Sequence, residues 1–204
     1  MIKNPYPGKF IVFEGLDGAG KSTQAGLLAD SLRKAGKEVF LTQEPGGSAP
    51  GELVRRRLTG EWGCHPDCLQ LLFAADRACH LNDEILPRLK KGVCVVGDRY
   101  FLSSVAYGAV DAPAEWLARI NERFLAPDLT IYLDVPPEVC TERIARNGRS
   151  IELFEKVEIL QIVRQNYQKA MEMFGGEMKI VSLDANRKKE EVSRDIANLA
   201  MSQT

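Results

Sequence analysis

Eight residues near the start of the chain, Gly15-Leu16-Asp17-Gly18-Ala19-Gly20-Lys21-Ser22, satisfy the pattern G-x-x-x-x-G-K-[ST], with Thr23 directly after it. The glycines let backbone N–H groups converge on a phosphate chain, and a helix starting at the end of the loop adds its partial positive charge. Lys21 is then placed to reach the β- and γ-phosphates of ATP, and Ser22 to ligate Mg²⁺. Asp17 lies inside this loop, where a carboxylate is costly unless a cation or hydroxyl partners it. The pattern alone does not separate kinases from GTPases or ATP-driven switches, but the chain contains no N-K-x-D string of the kind that reads guanine.

Two further pairs could carry acceptor chemistry. Phe73 and Arg77 are four residues apart on an expected helix and so share a face. A flat ring beside a fixed fork of donors suits a base that is stacked and hydrogen-bonded. Asp98-Arg99 follows the apolar run Val93–Val96, at the carboxyl end of a strand where open α/β sheets bind ligands. Arg99 suits a bidentate clamp on phosphate, and Asp98 suits Mg²⁺, held directly or through water.

The elements that must position these residues are legible as alternating periods. Short apolar runs at Phe10–Phe13, Glu38–Leu41, Val93–Val96, Leu129–Leu133 and Lys179–Leu183 read as strands. Helical patterns fit Ser22–Ala35, ending at Gly36, then Gly51–Leu58, Asp67–Leu89, Pro113–Phe124, Pro137–Arg146, Glu152–Phe174 and Lys188–Met201. This alternation predicts a three-layer α/β fold with about five parallel strands and helices on both faces. At 204 residues and 45% hydrophobic content, one domain over residues 1–204 is expected.

Composition excludes other classes. Net charge is -1, from 27 Lys plus Arg against 28 Asp plus Glu, so no global field holds a nucleic-acid polymer. Without an 18-residue apolar run or a leader-like start, a cytoplasmic protein with no membrane partner is expected. Five cysteines, an odd number in a chain with its own core, read as reduced thiols. Cys64, His65, Cys68, Cys79 and His80 cluster in sequence, yet Cys68 and Cys79 on one helix stand about 16 Å apart in rise. One zinc ion cannot reach both.

Taken in order, the motifs resemble those of thymidylate kinases across essentially the whole chain. Phe13 to Gln24 is similar to that family's opening, and Glu44-Pro45-Gly46-Gly47, Phe73-Ala74-Ala75-Asp76-Arg77, Asp98-Arg99-Tyr100, Ser103-Ser104-Val105-Ala106-Tyr107 and Pro127 to Pro136 are similar to its later signatures. The resemblance implies ATP-dependent phosphorylation of dTMP to dTDP, supplying dTTP for DNA synthesis, by a P-loop kinase with Mg²⁺ and a homodimeric assembly. It further implies that Phe73 stacks on thymine, Arg77 reads a base carbonyl, Asp17 meets the sugar 3′-hydroxyl or acceptor-side Mg²⁺, and Tyr107 packs on the sugar. Glu44, Ser104 and Arg55 match further acceptor contacts, with the other arginines of Arg55-Arg56-Arg57 read as solvated.

Phosphoryl transfer asks mainly for alignment and neutralised charge, so an additional arginine is expected near the γ-phosphate. The family supplies it from the P-loop or from a mobile lid, and this P-loop has none. The resemblance is therefore to the bacterial type with lid arginines, the short lid covering approximately 146–153 around Asn147-Gly148. Arg146 and Arg149 are expected on the transferring group, Arg143 on adenine, and Glu155, rather than Glu152, on the substrate side. A closed lid would also exclude water.

Three positions depart from the pattern. Gln43 stands where the family has Arg, Gly108 where it has Gln, and no Asp-Arg pair precedes Phe154-Glu155. These put acceptor preference in question, leaving a kinase for another deoxynucleoside monophosphate, or an ATP-binding switch, as the alternatives.

Overall fold

In the computed structural model the described residues are 1–146, 153, 154 and 156–201. Five strands, β1 Phe10–Gly15, β2 Val39–Gln43, β3 Cys94–Asp98, β4 Leu129–Asp134 and β5 Ile180–Asp184, form one parallel sheet in the order β2-β3-β1-β4-β5. Burial follows that order. β1 and β3 are buried throughout and β4 nearly so, whereas the edge strands β2 and β5 are only partly covered. Central strands sandwiched between helix layers need apolar residues on both faces, which is why Phe10-Ile11-Val12-Phe13 and Cys94-Val95-Val96 do not alternate.

The helices are α1 Lys21–Lys34, α2 Ala49–Leu58, α3 Pro66–His80, α4 Leu86–Lys90, α5 Phe101–Gly108, α6 Ala114–Asn121, α7 Pro137–Arg146, α8 Val157–Phe174 and α9 Lys189–Met201. They cover both faces, with α1 packed on α9 and α5 packed on α8. No helix of the described residues is long and apolar enough to cross a membrane.

Register brings the chemistry together. Phe13 pairs with Asp98 and Gly15 with Leu133, so the turn after β1 and the end of β3 stand side by side at the sheet's carboxyl edge. β1 and β3 lie side by side, and the chain leaves β1 for β2 on one side and β3 for β4 on the other, the position at which such folds open a crevice.

Two expectations need correction. The helix expected over Asp67–Leu89 is interrupted by a π-helical turn at Leu81–Ile85 before α4. Pro87 has no N–H to give the Asp83 carbonyl and its ring crowds that turn, so the wider turn accommodates it. The helix expected over Pro113–Phe124 ends at Asn121. Helix α5 was not anticipated, because all eight of its residues are buried and it therefore shows no polar face. The expected start of the last long helix at Glu152 lies outside the described residues, and α8 begins at Val157.

Candidate active site

Glu14 anchors the site from below. It is fully buried and accepts four hydrogen bonds, from Tyr100 N–H, Ser103 N–H, the Ser103 hydroxyl and the Tyr167 hydroxyl. Burial pushes its carboxyl above the ordinary range, against the opposing pull of Ser103 and Arg99. The side chain thus ties the end of β1 to the start of α5 and to α8. Glu14→Ala would leave these donors without a partner, and its urea midpoint should report a loss of about 3 kcal/mol or more.

Above it, the loop from Gly15 to Ser22 closes tightly. Gly18 has φ of +83°, and a Cβ there would stand 2.4 Å from the Cys140 carbonyl oxygen, so only glycine fits. Leu16 is buried, and its carbonyl accepts from Lys21 Nζ at 2.7 Å. Burial and then the nearby Arg99 lower the Lys21 pKa to about 8, although Asp17, Asp98 and Glu14 pull the other way.

Arg99 crosses the junction between β3 and the loop. It has φ of 71°, an unusual backbone for a side chain of this size, which costs on the order of 1–3 kcal/mol and marks a residue held for its position. Its guanidinium bonds to Asp17 Oδ1, to the Ser103 hydroxyl at 2.8 Å and to the Tyr107 hydroxyl at 3.3 Å. Tyr107 donates its own hydroxyl to Asp17 Oδ2 at 2.9 Å. The Asp17 carboxylate thus has both a cation and a hydroxyl partner; Arg99 and Lys21 outweigh burial and hold it well below the usual range.

Ser22 donates its hydroxyl to Asp98 Oδ2, while Asp98 Oδ1 is buried with no hydrogen-bond partner. A hydroxyl and a carboxylate with a spare oxygen are the hard donors that a small divalent cation prefers.

Two compartments meet at these residues. A cleft of about 880 Å³ runs over Gly18 to Gln24, with Arg55, Arg143 and Arg146 along its rim. A pocket of about 150 Å³ lies beside it, walled by Phe73, Arg77, Ser104, Tyr107 and Phe154 among others. Asp17, Glu44, Pro45, Leu58 and Arg99 line both.

The second pocket has a charged wall. Arg77 is 1% exposed and donates twice to Glu44 Oε2, at 2.9 and 2.6 Å, once to Asn121 Oδ1 and once to the Ser104 hydroxyl. Glu44 is therefore engaged by Arg77, with His80 Nδ1 at 3.5 Å from its other oxygen. Asp76, one residue earlier on α3, accepts from Gly46 N–H and the Ser48 hydroxyl and so fixes the loop carrying Glu44.

The structure brings together Asp17, Lys21, Ser22, Asp98, Arg99 and Tyr107, with Phe73 and Arg77 across the second pocket. Gly15 contributes a carbonyl that accepts from Arg99 at 3.4 Å, while Gly18, Ala19, Gly20 and Thr23 line the cleft. Arg55 donates to the Gly46 carbonyl at 2.6 Å from an otherwise exposed position. Arg143 reaches the Gly18 carbonyl at 3.5 Å, and Arg146 stands exposed near Glu142. Arg149 and Glu155, with most of the lid over 146–153, lie outside the described residues. Gln43 is exposed on the cleft rim, and the space beside Gly108 is taken by the Gln70 carboxamide.

Several site residues escaped the sequence reading: Glu14, Gln70, Asn121 and, at the far end of the cleft, Arg187 and Lys189 after β5. Buried Glu14 could have been found from its place inside an otherwise apolar strand, since a carboxylate there requires partners. Asn121 had no local signal, because its contact with Arg77 spans 44 residues.

Comparison with known proteins places nearly the whole chain among similar sequences. The family model for thymidylate kinase matches residues 13–196. A probable thymidylate kinase of Thermococcus gammatolerans is 45% identical over 203 residues, covering 94% of this chain and 95% of its own. One from Pyrococcus horikoshii is 43% identical, covering 94% and 95%, and a thymidylate kinase of Thiobacillus denitrificans is 46% identical, covering 74% and 75%.

Proposed function

Because the chain belongs to the thymidylate kinase family, we propose a working division of its site: ATP over the 880 Å³ cleft, dTMP in the 150 Å³ pocket, and phosphoryl transfer at the junction. The enzyme phosphorylates dTMP to dTDP with ATP as donor. The observation that carries the division is the shared lining, since Asp17 and Arg99 face both compartments at once.

On the donor side, backbone N–H groups of the loop and Lys21 hold the phosphate chain, and alignment is thereby built in before any substrate arrives. Ser22 and Asp98 are the residues that would hold Mg²⁺, supported by the unpartnered Asp98 Oδ1. When bound, Mg²⁺ neutralises charge on the phosphates. Arg99, held at the junction by Asp17 and Ser103, is the cation that would turn to the acceptor phosphate when dTMP binds. Asp17 and Tyr107 then face the sugar, while Phe73 stacks on the base and Arg77, with Ser104, contacts its edge.

The lid arginines belong to the same reading. Arg146 on the cleft rim, together with Arg149, supplies the charge that a P-loop without arginine lacks, which is the bacterial-type arrangement although the similar proteins are mostly archaeal. Arg143 faces adenine, Arg55 the acceptor phosphate, and Glu155 the substrate side. A single catalytic domain, a homodimer and a cytoplasmic setting complete the proposal; the five free thiols support the last.

Initial ADP production with ATP, Mg²⁺ and each of dTMP, dUMP, dCMP, dGMP and dAMP tests the reading. Turnover should be greatest with dTMP and disappear when EDTA removes the metal. A different preferred acceptor would transfer the assignment to another deoxynucleotide kinase.

A further inference from the structure

Gln70, Phe73 and Arg77 are spaced by three and four along α3 and share one wall of the acceptor pocket. Gln70 is 3% exposed, yet its Oε1 has no hydrogen-bond partner. A buried carboxamide oxygen left without a donor is uncommon in folded proteins, and its setting on a ligand pocket points to a donor brought by the ligand.

Arg77 supplies the complementary half. Its guanidinium has five N–H groups, and the four hydrogen bonds to Glu44, Asn121 and Ser104 leave one on Nη1. One wall therefore offers a donor from Arg77 and an acceptor from Gln70. A 4-oxopyrimidine such as thymine presents the matching edge, a carbonyl oxygen next to the N3–H. Cytosine presents the reverse, an amino group next to an unprotonated N3, and meets the Arg77 donor with a donor of its own.

Gly108 makes the placement possible. A Cβ at that position would stand 2.8 Å from both Cδ and Oε1 of Gln70 and 3.0 Å from Leu117 Cδ1. Any larger residue at 108 has to push the carboxamide aside, so the absence of a side chain there and the presence of Gln70 are two halves of one arrangement.

We propose that Gln70 is a specificity-determining residue of the acceptor pocket, its Oε1 accepting the N3–H of thymine while the remaining Arg77 N–H donates to O4. The assignment rests on the dTMP kinase reading, and it makes Gly108 the position that permits Gln70 to act.

Steady-state kinetics with dTMP, dCMP and N3-methyl-dTMP separate this role from a structural one. The unaltered enzyme should use dTMP at least about 10-fold better than N3-methyl-dTMP, the cost expected when a buried acceptor loses its donor. Gln70→Leu should raise KM for dTMP about 10-fold with kcat within about 2-fold, leave KM for N3-methyl-dTMP unchanged, and so erase most of that preference. Gly108→Ala should shift KM in the same sense by displacing the carboxamide, and the double variant should be no worse than Gln70→Leu alone. A preference for dTMP over N3-methyl-dTMP that survives Gln70→Leu, or additive effects of the two substitutions, would overturn the assignment while leaving the kinase reading intact. Absence of transfer from ATP to any pyrimidine acceptor in the unaltered enzyme would overturn both.

Discussion

Replacing Lys21 by alanine lowers kcat by at least about a thousandfold, the scale seen when a preorganised charge beside a transferring group is removed. Lys21 is the first residue of α1 and only 6% exposed, with its amine turned toward the Leu16 carbonyl. Its charge is costly there, because burial and Arg99 bring its pKa down to about 8. The sign of the pH effect follows. Above about pH 8 the amine of the free enzyme loses its proton, so kcat/KM for ATP should fall on an alkaline limb near that value. Between about 8 and the ordinary value of 10.5 the unfolded chain holds more protons than the folded one, so this group makes stability rise with pH. Lys21→Ala removes a charge that burial disfavours, and its urea midpoint at pH 7 should therefore not fall. A drop in stability parallel to the loss of turnover would mean that the lysine serves the fold.

Arg99→Ala should lower kcat/KM for dTMP by about a thousandfold while ATP affinity, measured by calorimetry, changes only a few-fold. Two losses combine. On the proposed division of the site the acceptor phosphate loses its arginine, and Asp17 loses the cation that contributes most to keeping it ionised. Arg99→Lys should recover less than a tenth of the activity, since an ammonium supplies charge without the fork that now reaches Asp17, Ser103 and Tyr107 together. An ATP-binding switch with an idle Arg99 would show neither effect.

How far the sequence reveals this molecule depends on the range of the interaction concerned. The loop from Gly15 to Ser22, the five strands and the pair Asp98-Arg99 are legible because each is encoded within a few consecutive residues. Helix α5 is not, since being buried on every side removes the polar face from which helical period is read. The same limit applies to charge pairs. Phe73 and Arg77 announce a shared face, but nothing nearby indicates that Arg77 is engaged by Glu44 and Asn121, 33 and 44 residues away. Gly108 is the instructive case. In sequence it reads as a missing hydrogen-bonding side chain, whereas in the fold its bare Cα makes room for the carboxamide of Gln70, which arrives from another helix.

In the proposed division one site joins ATP to dTMP. Incubation with ATP labelled at the γ-phosphate, Mg²⁺ and dTMP tests it most directly, with nucleotides and inorganic phosphate separated at early times. One labelled dTDP should form for each ADP, with little labelled inorganic phosphate. Label released as inorganic phosphate without dTDP, or ATP bound with no transfer at all, would contradict it.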